Sequence, residues 1–324
     1  MDDAGKQTSL LRQQLVNDAR RCLRRDGYAR IPREVFCLTT TELDNLRREF
    51  ERLFDGVYDT GIYPDEIHWR RGISRPEATR ELCNAWKAST TIAATVCSES
   101  IGRLACDLME WDSCRMGQDD VIHKPPGGNA VGFHQDGVYI SSNFIPRQNN
   151  SLTMWIALDE ADELNGALQY APGSHHWALP VSTIGGGSFH SDGEVTWDYT
   201  QSLQAPALAA GKDPAEVLSS LETVSVGAGE MIVHHQDVWH GSGPNASQRD
   251  RRALVAHVLH GSVEWADQAT YIYGRYKLRG EPRPHEDFFP ILSSRGGPGD
   301  SSKRSNVRLT TWTTATGDGT VSGS

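Results

Sequence analysis

From about residue 120 the chain changes texture: short apolar or alternating runs follow one another, cut by Gly, Pro and Asn. Runs of that length and period are strands of an antiparallel sheet, and a chain that repeats them must bury one sheet face against another. The runs are SLTMWIALD (151–159), GALQYAP (166–172), GEMIVHHQDVWH (229–240) and RALVAHVLH (252–260). Asn165-Gly166 predicts a hairpin turn between the first two. Ahead of them, Leu10, Leu11, Leu15, Ala19 and Leu23 predict an amphipathic helix over 9–25, stopped at Asp26-Gly27. A short strand is expected at Tyr28–Ile31. A second helix follows in TTTELDNLRREFERLF, where Thr and Glu three apart suggest a capping box. The stretch Ser182–Ala209 is poorly periodic and reads as a long excursion from the sheet. The order predicts a mainly β fold with flanking helices, a β-sandwich or jelly roll behind a helical preface. One domain is expected over 1–295, helical at about 9–115 with its β core at about 120–262, and a polar tail over 296–324.

The chain has 324 residues, enough for a sizeable core of its own. No run of about 18 apolar residues occurs, and the amino terminus lacks a basic region followed by an apolar one, so a soluble, cytoplasmic protein without a membrane partner is expected. The formal net charge of −10 argues against nucleic acid as a partner. Cys22, Cys37, Cys83, Cys97, Cys106 and Cys114 never form a CxxC pair, and reduced, packed thiols are expected.

A His and an acid at i and i+2 on a strand point to one face and can share a metal. With 12 His in the chain, chance alone supplies about one His-x-Asp, so the spacing is weak by itself. There are four: His134/Asp136, His190/Asp192, His235/Asp237 and His285/Asp287. Prolines surround the last, and no later histidine completes a site there. His235 lies five residues before His240 on one predicted strand, which puts the two on opposite faces. His190/Asp192 lies in the excursion, with no strand to aim it, and is the runner-up. His134/Asp136 follows Pro125-Pro126-Gly127-Gly128 and is flanked by small residues that let a ligand come close. His240, ending an apolar run, is the best third ligand. Two His and one carboxylate leave three positions of an octahedral ion open, as non-haem Fe(II) oxygenases require. Arg251 or Arg252 could then hold the far end of a dicarboxylate, with the Ser242 hydroxyl beside it. Parity does not choose between the two arginines, and a surface charge is the bland alternative for each.

Four ordered segments carry a resemblance: DGYAR (26–30), HKPPGGNAVGFHQDGVY (123–139), TMWIALDEADELNGALQYAPGSHH (153–176) and GAGEMIVHHQDVWHGSGPNASQRDRRALVAHV (227–258). Together, over about residues 20–260, they resemble the phytanoyl-CoA dioxygenase family of Fe(II)/2-oxoglutarate oxygenases, which includes ectoine hydroxylases. The resemblance implies a double-stranded β-helix, the cupin-like jelly roll, with iron held by His134, Asp136 and His240. It favours Arg251 over Arg252 for 2-oxoglutarate, with Lys124, Trp155 and Ser242 as neighbours of the cosubstrate. Some relatives replace the acid by a small residue and halogenate; Asp136 is present here, which favours hydroxylation.

The expected function is therefore an Fe(II)/2-oxoglutarate dioxygenase that uses O2 to hydroxylate an unactivated C–H of a small metabolite or natural-product intermediate, releasing succinate and CO2. Desaturation, cyclisation or epimerisation begin with the same hydrogen abstraction and stay open. A cupin-like enzyme without 2-oxoglutarate, or a non-catalytic jelly-roll binding protein, is the alternative of a different class. Tyr139, His175 and Trp197 are candidate pocket residues.

Overall fold

A computed structural model describes residues 3–179, 198–270 and 272–295. Two helices and three strands come first: α1 (Asp3–Asp26), β1 (Tyr28–Ile31), α2 (Thr40–Phe54), β2 (Glu66–Ile67) and β3 (Arg80–Cys83). Helices α3 (Thr90–Val96) and α4 (Glu99–Met109) lead into β4 (Ser113–Lys124), β5 (Val131–His134), β6 (Phe144–Ile145), β7 (Ser151–Ala157) and β8 (Leu168–Tyr170). After α5 (Gln204–Ala209) and α6 (Pro214–Ser219) come β9 (Glu222–Thr223), β10 (Met231–His235), β11 (His240–Ser242), β12 (Arg251–His260), β13 (Glu264–Trp265) and β14 (Ile291–Ser294).

The large sheet runs β1-β10-β7-β12-β4-β3-β2, with β14 also on β4, and the small sheet runs β5-β11-β8-β9. All pairings in both are antiparallel. The chain passes repeatedly between the two sheets. Helix α2 begins as its sequence predicts: the Thr39 hydroxyl accepts from the Glu42 N–H, and the Glu42 carboxylate accepts from the Thr39 N–H.

The central strands are buried on both faces, which is why their sequences read as apolar runs. On β12, Leu254, Ala256 and Val258 pack outward with Leu46 and Phe50 of α2 and Ile101 and Leu104 of α4. Their neighbours Ala253 and Val255 face inward with Trp155, Tyr170 and Ile232. None of the six cysteines forms a disulfide, and Cys83, Cys97, Cys106 and Cys114 are buried.

Three expectations need correction. The run 229–240 is two strands: it leaves the large sheet after His235, and His240 starts β11 in the small sheet, so parity counted along one strand does not apply. Asn165-Gly166 does make a turn, with Asn165 Oδ1 accepting from the Asp162 N–H at 2.8 Å. Yet β7 and β8 belong to different sheets, so the turn is a crossing between layers and no hairpin. The end of the supposed excursion is helical: α5 and the 3₁₀ turn Tyr199–Leu203 pack on β5, where Tyr199 stacks on Phe133 and Ser202 Oγ accepts from the Phe133 N–H. His190, Asp192 and Trp197 lie outside the described residues, as does the tail from 296.

Candidate metal centre

His134 closes β5 and His240 opens β11, and the two are direct cross-strand partners in the small sheet. Asp136 follows in the 3₁₀ turn Asp136–Val138, reached through an extended Gln135. Asp136 Oδ1 lies 3.5 Å from His134 Nε2 and 3.5 Å from His240 Nε2. The three ligating atoms all fall within 4.8 Å of one another, a span one ion can bridge. Each imidazole is aimed by its other nitrogen: His134 Nδ1 donates to the Gly132 carbonyl at 2.8 Å and His240 Nδ1 to the Val238 carbonyl at 3.1 Å. That sets both as Nδ1–H tautomers, with Nε2 turned toward Asp136.

Burial, reinforced by His234 and His134, holds the His240 pKa well below its ordinary value, so the ring is neutral. Burial acts against the charge on Asp136, but the surrounding imidazoles of His240, His134 and His234 outweigh it and keep the carboxyl well below its usual range. A neutral His240 beside an ionised Asp136 suits a divalent ion.

The other Asp136 oxygen is also engaged. Oδ2 accepts from Thr153 Oγ1 at 2.5 Å and from His234 Nε2 at 2.9 Å. Tyr170 donates to His234 Nδ1 at 2.9 Å. His257 spans Thr153 Oγ1 at 3.0 Å and Asp120 Oδ2 at 2.8 Å. Although burial opposes its charge, the hydrogen bond and charge of Asp120 raise the His257 pKa. Sequence reasoning missed Thr153, His234, His257 and Tyr170. Strand parity carried a signal, since Thr153 lies two before Trp155 and His257 six after Arg251, both on inward faces.

Asp136, Thr153, His234, His240 and His257 line a cavity of about 290 Å³ between the sheets, whose wall also includes Tyr139, Trp155, Ser242 and Arg251. Arg251 is buried, its Cζ is 5.4 Å from the Trp155 ring centroid, and its Nε and Nη1 have no hydrogen-bond partner. Burial pulls its pKa down to about 10, which leaves it charged at neutral pH. Lys124 is fully buried, and its Nζ donates to Ser242 Oγ and the Gly243 carbonyl, both at 2.6 Å. Burial first, and Arg251 second, push the Lys124 pKa well down. Arg252, by contrast, turns outward to Asp159, with Nε 2.8 Å from Oδ2 and Nη2 3.1 Å from Oδ1.

The remaining candidates separate. His175 lies away from the cavity, donating to the Arg24 carbonyl at the end of α1. His235 bonds Asn149, and Asp237 pairs with Arg147. His285 and Asp287 are exposed.

The phytanoyl-CoA dioxygenase (PhyH) family model matches residues 23–253. The chain belongs to this family. Within it, a probable alpha-ketoglutarate-dependent hypophosphite dioxygenase of Stutzerimonas stutzeri is 33% identical over 147 residues, 44% of this chain and 44% of that protein. A phytanoyl-CoA dioxygenase of Arabidopsis thaliana is 30% identical over 151 residues, 46% of each chain. The aligned segments thus span less than half the length of these curated relatives.

Among solved structures, the non-heme alpha-ketoglutarate-dependent carbocyclase SnoK of nogalamycin biosynthesis superposes with a TM-score of 0.63 at 21% identity, covering 87% of this chain and 98% of that one. The epimerase SnoN, in complex with Fe3+, alpha ketoglutarate and nogalamycin RO, gives 0.62 at 21% identity, covering 86% and 98%. The fold is therefore shared over 86–87% of this chain and 98% of those structures.

Proposed function

We propose that the protein is an Fe(II)/2-oxoglutarate-dependent dioxygenase that hydroxylates an unactivated C–H of a small molecule, a metabolite or natural-product intermediate. The observation that carries this reading is the buried, unpaired guanidinium of Arg251 in the same cavity as the His134, Asp136 and His240 donor set. A cation without a hydrogen-bonded acid is costly to bury, and a dicarboxylate bound at one end by the metal and at the other by Arg251 removes that cost. The residues therefore fit both groups.

His134, Asp136 and His240 would hold the iron, and Arg251, assisted by Lys124 and Ser242, the far carboxylate of 2-oxoglutarate. Bound together with O2, iron and 2-oxoglutarate supply the oxidising power, with succinate and CO2 as coproducts. Trp155 covers the guanidinium, and Val131, Leu168 and Val255 line the cavity beside it, which keeps water from the charged pair. Asp136 supports hydroxylation over halogenation, because its carboxylate would fill the position on the iron that a halide needs. Incubation with Fe(II), 2-oxoglutarate, air and a metabolite library should give succinate in step with a product heavier by one oxygen. Succinate-free incubations across the library, with 2-oxoglutarate failing to bind, would replace the proposal by a binding role for the jelly roll.

A further inference from the structure

The large sheet supplies a row of polar side chains that the three ligands do not explain. His234 on β10 is the register partner of Thr153 on β7, and Thr153 is the partner of His257 on β12. All three face the cavity from adjacent central strands, among the least deformable parts of a sheet.

Their hydrogen bonds have one consistent direction. Thr153 has a single hydroxyl proton, and the carboxylate of Asp136 can only accept, so Thr153 donates to Oδ2. The contact between Thr153 Oγ1 and His257 Nδ1 is then donated by the imidazole. On the other side, His234 Nε2 donates to the same Oδ2, and Tyr170 donates to His234 Nδ1. Two donors thus converge on Asp136 Oδ2, each held by a further partner. Asp136 Oδ1 is left facing His134 and His240 at 3.5 Å.

We infer that Thr153 and His234 are positioning residues that restrict Asp136 to one-oxygen ligation. The inference rests on the reading of His134, Asp136 and His240 as the metal ligands. Its consequence is arithmetic: an octahedral ion with three protein ligand atoms keeps three open positions, two for a chelating keto acid and one for O2. A carboxylate free to rotate and chelate through both oxygens would occupy one of them. Charge-assisted hydrogen bonds to Oδ2 are about twice as strong as neutral ones and oppose that rotation.

The test uses Mn(II) alone as the probe, on the wild-type chain and on Thr153→Val, Thr153→Ser and His234→Gln. Mn(II) affinity is read by titration, and water-proton relaxation counts the exchangeable waters on the bound ion. Thermal melting without metal checks that each variant is folded. The wild type should bind one Mn(II) carrying three waters. Thr153→Val and His234→Gln should each weaken binding about 10- to 100-fold and lower the count to two, while Thr153→Ser restores both. Should Thr153→Val fail to fold, His234→Gln gives the same readout. Wild-type affinity and three waters in the folded Val and Gln variants would overturn the inference. A wild type that binds no Mn(II) would instead overturn the ligand reading on which it rests.

Discussion

Arg251 and Lys124 are register partners across β12 and β4, so two buried basic side chains stand side by side. Among the described residues neither makes an ion pair with a carboxylate, whereas the adjacent Arg252 holds both oxygens of Asp159. In a low-dielectric cavity each basic group opposes charge on the other, which adds to burial in lowering the Lys124 pKa, and an anion that binds there favours the charged forms.

Arg251→Ala should therefore raise the 2-oxoglutarate concentration needed for half-saturation far more than the iron requirement. Two charge-assisted hydrogen bonds at about 1.5–3 kcal/mol each correspond to a loss of roughly 10²- to 10⁴-fold. Arg252→Ala should leave 2-oxoglutarate binding near wild type and lower the melting temperature by a few degrees, through loss of the Asp159 pair. Calorimetric titration of both variants with 2-oxoglutarate, the metal site filled with Mn(II), separates the two. The reverse pattern would give the anchor to Arg252.

Gly166 couples the turn between the sheets to this basic pair. Its φ of +79° is in the left-handed region, and a Cβ there would sit 2.5 Å from the Gly243 carbonyl and 3.2 Å from Lys124 Nζ. Gly166→Ala should cost more than the ~1 kcal/mol of backbone strain alone, because the Gly243 carbonyl that accepts from Lys124 must move. A lowered melting temperature together with weaker 2-oxoglutarate binding is expected. Unchanged cosubstrate affinity would uncouple the turn from the site.

Acid stability tests the edge of the large sheet. Burial alone would raise the pKa of Glu230, but the Gly227 N–H and the guanidiniums of Arg30 and Arg33 hold it below its ordinary value. A carboxyl whose folded pKa is depressed stabilises the fold above the unfolded value, near 4.5, and that contribution is lost as pH falls through the folded value. Glu230→Gln should melt earlier than wild type at neutral pH and flatten the acid limb of the melting-temperature curve below about pH 4.5. Parallel acid limbs would show that the pair contributes nothing.

Much of this site was legible because its chemistry demands particular residue types at short spacings. His134 and Asp136 lie two apart, and His240 ends a run whose apolar pattern marks it as a strand. Spacing alone named Arg251 and Arg252 without separating them, because they are the first two residues of β12; the family resemblance favoured Arg251, and the pairing of Arg252 with Asp159 distinguishes the two in the structure. The division of 229–240 was hidden: Gln236–Trp239 carries no Gly or Pro, and the chain turns there because Gln236 accepts the N–H groups of Asn150 and Ser151, an interaction 85 residues away. The row of His234, Thr153 and His257 was missed for a related reason. Its members come from three strands, and only the register across the sheet brings them to one carboxylate oxygen.

The central claim is that one cavity chelates a metal and a keto acid together. Anaerobic titration of the Fe(II)-loaded protein with 2-oxoglutarate, followed by visible absorption, tests it most directly. The wild type should develop a charge-transfer band that saturates at one 2-oxoglutarate per chain, and Asp136→Ala should develop none. A wild type that binds Fe(II) yet shows no band at saturating 2-oxoglutarate, or a band that survives Asp136→Ala unchanged, would contradict it.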